Sequence, residues 1–159
     1  MKAAEQVRAF MQAMGHETPN EITLPGEAQR GLGYKLIAEE LEELKAEALD
    51  NDVVDIVEIA DALIDILYTT FWNLNRYGFK PHQVEYLFNE VHINNMTKLG
   101  PDGKAIYNEQ GKVMKPEGYK KVDLRSIITK MRAGGLLGVQ IEPSIHNPNN
   151  PELEEEQGE

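Results

Sequence analysis

Residues 53–77 limit the fold more than any other stretch. At a helical period, Val53, Ile56, Val57, Ile59, Leu63, Ile64, Ile66, Leu67, Phe71 and Leu74 make the segment apolar over most of its circumference. A helix of that kind is expected inside a bundle. Yet one strip of it carries Asp55, Glu58, Asp61 and Asp65. Carboxylates on an otherwise buried helix are unfavourable unless they are paired or hold a cation. Whatever packs beside this helix must satisfy both its apolar surface and its acids.

The preceding segment, residues 27–49, has the composition to do so. Ile37, Leu41, Leu44 and Ala48 share one helical face, with Glu40, Glu43 and Glu47 on its flank. Glu39 lies farther round, and Glu42 points nearly opposite the apolar face. Only Asp50-Asn51-Asp52 separates the two helices, so they are expected as antiparallel neighbours. Asn51 or Asp52 is expected to cap the second helix, with Asp55 in its first turn. Glu40 and Glu43 stand at i, i+3, as do Glu58 and Asp61, so two like-charged pairs meet across the helix pair. Repulsion of this kind grows in a partly dry groove. Glu42 and Glu47 read as solvated surface, whereas the paired acids are expected to hold divalent cations. Neither helix contains histidine, which disfavours zinc and di-iron sites. An all-oxygen set suits Mg²⁺ or Mn²⁺. Ca²⁺ would ordinarily bring an EF-hand loop, and none is present.

The remaining segments frame this pair. Residues 2–14 place Val7, Phe10, Met11 and Met14 on one helical face, and Gly15 ends that helix. Residues 17–26 hold two prolines without periodicity and read as a loop. Gly78 closes the third helix. Pro81 opens a fourth that runs to about residue 99, with Val84, Leu87, Phe88, Val91 and Leu99 on its apolar side and Asn95 and Lys98 on or beside it. A short β-hairpin is expected from residues 105–107 and 112–114, turning at Asn108-Glu109-Gln110-Gly111. Asp123 is placed to cap a small helix over residues 124–132, which Gly134-Gly135 breaks. The expected organisation is all-α: one four-helix-bundle-type domain over residues 1–142, then an acidic, disordered tail over residues 143–159.

Totals narrow the function. The formal net charge is −11, which argues against nucleic acid or an anionic membrane as a partner. Five acids and no Lys or Arg fall in residues 143–159, leaving about −6 for the rest. An anionic substrate would therefore need metal ions and a few local cations. There is no cysteine, no apolar run long enough to span a bilayer and no secretory leader, so the cytoplasm is the expected compartment.

Two motifs in order carry a family resemblance. Glu39-Glu40-x-x-Glu43 followed by Glu58-x-x-Asp61 resembles the signature of the all-α nucleoside triphosphate pyrophosphohydrolases, the MazG-like superfamily. The run Asn89-Glu90-Val91-His92-Ile93-Asn94-Asn95-Met96-Thr97-Lys98 is similar to the phosphoribosyl-ATP pyrophosphohydrolase-like branch, which occurs in bacteria and phages. So are Asp102-Gly103-Lys104, Gly111-Lys112-Val113-Met114-Lys115 and Gly118-Tyr119. The likeness covers about residues 27–124. It implies hydrolysis of a nucleoside triphosphate to the monophosphate and diphosphate, with two or three Mg²⁺ or Mn²⁺ per site on Glu39, Glu40, Glu43, Glu58 and Asp61. It also implies a homodimer or homotetramer.

Roles can be placed on that frame. Glu39, Glu40 and Lys98 form the expected catalytic set, with Glu39 as the acceptor of the water's proton. Asp65 is expected to support the metal ligands or the substrate. Asn95 and Lys98 either clamp a phosphate or, for Lys98, pair with a cluster acid. Lys112, Lys115 and Tyr119 complete the expected substrate contacts. Trp72 and Tyr68 read as core or subunit contacts. Three functions remain open: a (d)NTP pyrophosphohydrolase for nucleotide-pool control, including a phage enzyme directed at (d)GTP or another dNTP; a phosphoribosyl-ATP pyrophosphohydrolase of histidine biosynthesis; and a non-catalytic acidic module that binds cations or a partner.

Overall fold

A computed structural model describes residues 2–100 and 102–134. Its regular elements are helical: α1 (Lys2–Ala13), α2 (Glu27–Lys45), α3 (Ile56–Arg76), α4 (Pro81–Met96) and α5 (Leu124–Arg132). By internal packing the chain divides into two compact units, Met1–Glu85 and Tyr86–Glu159, with the boundary inside α4. The tail expected over residues 143–159 lies outside the described residues.

In the first unit, α1 and α2 both pack on α3. Val7 and Met11 of α1 bury against Trp72 of α3, with Leu36 of α2 and Phe71 around them. Buried polar groups set the register. The Asn75 amide donates to the Ala4 carbonyl (3.2 Å) and to Phe71 within its own helix (2.9 Å). Asn73 donates to the Gly33 carbonyl of α2 (2.9 Å) and to Thr69 (3.0 Å). A Cβ on Gly33 would collide with the Asn73 amide, so glycine permits this close approach of α2 and α3. The pairs 4 with 75 and 10 with 68, and 33 with 73 and 40 with 65, run in opposite directions, so α1 and α2 are each antiparallel to α3.

Helix ends follow local chemistry. Gly15 and Gly78 take positive φ, and the amides of His16 and Phe79 return to the carbonyls of Met11 and Leu74. That is the six-to-one bond of a Schellman ending. Asp123 caps α5 by accepting from the Ser126 amide (3.0 Å). Gln83 accepts from the Lys80 amide ahead of α4 (2.9 Å), half of a capping box.

Four expectations change. Helix α3 starts at Ile56 and its cap is Asp55, which accepts from the Val57 amide (2.9 Å). A carboxylate two residues ahead of a free amide outcompetes Asn51 and Asp52 for that role. Helix α2 ends in a π-helical turn, Ala46–Asp50. The hairpin is reduced to single bridges, Tyr107 with Val113 and Leu99 with Ala105. The Asn108 carboxamide takes the amides of Gln110 and Lys112 at the turn, and the Tyr107 bridge is flanked by the backbone bonds of Asn108 to Lys112 (2.9 Å) and of Met114 to Ile106 (2.6 Å). Finally, α3 is not buried all round within the chain. Its covered side holds Ala62, Thr69, Trp72 and Asn75, whereas Leu63, Ile64 and Leu67 are 46%, 59% and 52% exposed. Two helices cover only one side of a third.

Candidate active site

The acids of α2 and α3 gather around Glu40. It is half-buried on the flank of α2, while Glu39 and Glu43 beside it are exposed. Across the helix pair stand Asp61, exposed, and Asp65, half-buried. The antiparallel register that pairs Gly33 with Asn73 brings residue 40 opposite this stretch. The Glu40 carboxyl is pushed above the ordinary glutamate range. Partial burial is the largest cause, followed by the negative charges of Asp65, Glu43, Glu39 and Asp61 in falling order.

Four of the six acids singled out in the sequence thus act on a fifth. Glu58 is the exception: it lies exposed in the first turn of α3 and is not among the charges raising Glu40. Asp65 exerts the strongest pull of any charge there, more than the ligand candidate Asp61. Among the described residues, none of these six acids has an ion-pair partner. Lys45, at the end of α2, pairs with Glu42 (3.8 Å) and Asp50 (3.5 Å) instead. Nor do three His, Asp or Glu side chains converge at metal-binding distance among the described residues. The cluster is a concentration of hard oxygen donors lacking a counter-charge.

The second unit gathers cations. Helix α4 stops at Met96, so Lys98 sits in the following turn rather than on a packed helical side. Its ammonium donates to the Asn95 carboxamide oxygen (2.7 Å) and lies 5.9 Å from the centre of the Tyr119 ring. Lys115 approaches the same ring at 5.4 Å. Neither ammonium meets a carboxylate among the described residues, so the salt bridge considered for Lys98 is not formed there. Lys112 is exposed and fixed through its backbone, its amide donating to the Asn108 carboxamide (2.8 Å) and its carbonyl accepting from the Asn108 amide (2.9 Å).

Sequence reasoning passed over Asn94. Its carboxamide oxygen accepts from the Tyr119 hydroxyl (2.6 Å) and the Val122 amide (3.2 Å), and its nitrogen donates to the Lys120 carbonyl (2.7 Å). The signal available was a pair of asparagines near the end of a helix, a residue type that favours side-chain bonding to nearby backbone.

A family model described as phosphoribosyl-ATP pyrophosphohydrolase matches residues 7–95. The chain belongs to that family. Membership in the phosphoribosyl-ATP pyrophosphohydrolase family agrees with the MazG-like resemblance of the acid motifs and makes the protein a hydrolase of the nucleotide pyrophosphohydrolase type. The family match takes in every acid of the cluster and ends at Asn95, ahead of Lys98, Lys115 and Tyr119. No curated protein matches the chain. No helix among the described residues is long and apolar enough to cross a membrane.

Proposed function

We propose that the protein is a metal-dependent nucleoside triphosphate pyrophosphohydrolase, converting a (d)NTP and water to the (d)NMP and diphosphate. The observation that carries this reading is the raised Glu40 carboxyl among Asp65, Glu43, Glu39 and Asp61, in a chain of this family. A carboxylate set with no cation of its own is chemically suited to hard dications. Glu39, Glu40, Glu43, Glu58 and Asp61 are the residues to hold two or three Mg²⁺ or Mn²⁺, with Asp65 behind them. When bound, such ions neutralise phosphate charge and lower the pKa of water. Glu39 accepts the proton of the water that attacks the α-phosphorus. Lys98, Asn95, Lys112, Lys115 and Tyr119 are assigned to the phosphates.

The uncovered apolar side of α3 supports self-association. Leu63, Ile64 and Leu67 are exposed on α3, as are Ile56 and Val57 nearer its start and Leu49 ahead of it. A second copy of the chain, in a homodimer or homotetramer, is the occupant that would bury them.

Membership in the phosphoribosyl-ATP pyrophosphohydrolase family favours a second reading, in which the substrate is phosphoribosyl-ATP. One experiment separates them. Diphosphate release is measured with Mg²⁺ and with Mn²⁺ on the eight canonical NTPs and dNTPs, on dUTP and on phosphoribosyl-ATP. Turnover of a (d)NTP alone supports the first reading, and turnover of phosphoribosyl-ATP alone the second. No diphosphate from any of them removes both and leaves the non-catalytic acidic module.

A further inference from the structure

Unit two contains a side-chain network whose centre is not one of its cations. Asn94 lies one helical turn before Lys98, and its carboxamide ties three separate points together: the Tyr119 hydroxyl, the Lys120 carbonyl and the Val122 amide. Both acceptor directions of its oxygen are used, so the group has little freedom to turn. The turn at residues 116–119 is closed by the Tyr119 amide donating to the Pro116 carbonyl (3.1 Å), with Gly118 at positive φ. That turn returns Lys115 toward the Tyr119 ring from the other side in sequence. Two ammonium groups thus stand within 6 Å of one aromatic centre, a distance at which the ring quadrupole attracts each of them. They repel each other, and among the described residues no carboxylate offsets either one. An arrangement of this kind lowers its energy by taking a multiply charged anion.

We propose that Asn94 is a positioning residue for phosphate binding: by fixing Tyr119 it holds Lys98 and Lys115 around one ring, ready for the diphosphate portion of the substrate. This rests on the assignment of these lysines to the phosphates, and it adds the residue that organises them. Asn94 itself touches no phosphate in this scheme.

The test is titration calorimetry of the full chain with inorganic diphosphate in metal-free buffer, where no metal ion bridges to the ligand and the lysine ammonium groups are left to attract it. Lys98→Ala and Lys115→Ala are each expected to weaken binding about tenfold. Asn94→Ala is expected to weaken it about fivefold, as is Tyr119→Phe, which keeps the ring and removes only the hydroxyl bond. Both changes should raise KM for the triphosphate while leaving kcat within about twofold. If the lysine variants lose affinity while folded Asn94→Ala and Tyr119→Phe bind diphosphate like the parent, the positioning role is overturned and the lysine assignment stands. If the lysine variants also bind like the parent, or the parent binds no diphosphate, the assignment beneath the proposal falls and the proposal falls with it. A purely structural Asn94 would lower thermal stability and kcat and leave the diphosphate affinity of the folded protein unchanged.

Discussion

Asp65 of α3 is the charge that weighs most on Glu40 of α2, ahead of the two glutamates beside Glu40 on its own helix. The pair spans the antiparallel contact on which the first unit is built. It joins the packing of the fold to the electrostatics of the site, because any shift of α2 along α3 changes the distance between these two carboxyls.

Replacing Glu40 tests both sides of that relationship. Glu40→Gln removes a candidate metal ligand and one member of a self-repelling cluster. Turnover should fall by more than the roughly 10–100-fold typical of losing a residue behind a metal ligand. Metal-free stability should rise by a few tenths of a kcal/mol, the scale of a relieved like-charge pair on a helix. Diphosphate release and chemical denaturation in chelator report the two effects. Full activity with unchanged stability would show that the cluster is surface decoration.

The pH dependence has a defined sign. Glu40 holds its proton more tightly in the native state than in the unfolded chain. The unfolded state therefore binds fewer protons over that range, and stability falls as pH rises from the ordinary glutamate range through the raised Glu40 value. Denaturation curves in chelator should show that decline, and Glu40→Gln should lessen it. Saturating Mg²⁺ or Mn²⁺ should reverse it, since the ions bind the ionised form of the native state. A stability that climbs across the same interval would contradict the cluster geometry.

Much of this was readable from residue order, and the unreadable part has a common physical origin. Apolar periodicity and end signals place α1 to α5 almost completely, because Gly15, Pro81, Gly78 and Asp123 act on their immediate neighbours. The acid motifs likewise lie on the facing helices that their spacing implies. What escapes is register. Whether Glu58 or Asp65 faces Glu40 depends on where α2 sits along α3, and that is set by the Gly33 and Asn73 contact, forty residues apart. Asn94 escapes for the same reason, since its partners lie 25 to 28 residues downstream. The strand signal around residues 105–114 yields only a narrow antiparallel pairing, Tyr107 with Val113, too short to count as regular strands.

The exposed side of α3 leads to a prediction about assembly. Ile64→Glu places a charge in the centre of the apolar surface that includes Leu63 and Leu67. Light scattering should show the parent chain as a dimer or tetramer and the variant shifted to smaller species. The monomer fold should persist by circular dichroism, because Ile64 is already exposed within one chain. An unshifted mass would remove α3 from the interface.

Gly33→Ala examines the register itself. The added methyl group meets the Asn73 carboxamide, whose nitrogen is engaged by the carbonyls of Gly33 and Thr69. Either the amide gives up a part-buried bond or α2 moves away from α3, so a loss of about 1–3 kcal/mol is expected. Asn73→Ala on its own loses the same bonds without a collision. In the double variant the collision is absent, so the two losses should combine to less than their sum, a coupling that a double-mutant cycle measures. The second readout is the Mg²⁺ or Mn²⁺ concentration needed for half-maximal turnover. It should rise in Gly33→Ala, because displacing α2 separates Glu40 from Asp61 and Asp65, and return toward the parent value in the double variant. Additive stability losses with no change in metal requirement would mean that the approach of Gly33 to Asn73 does not set the spacing of the acids.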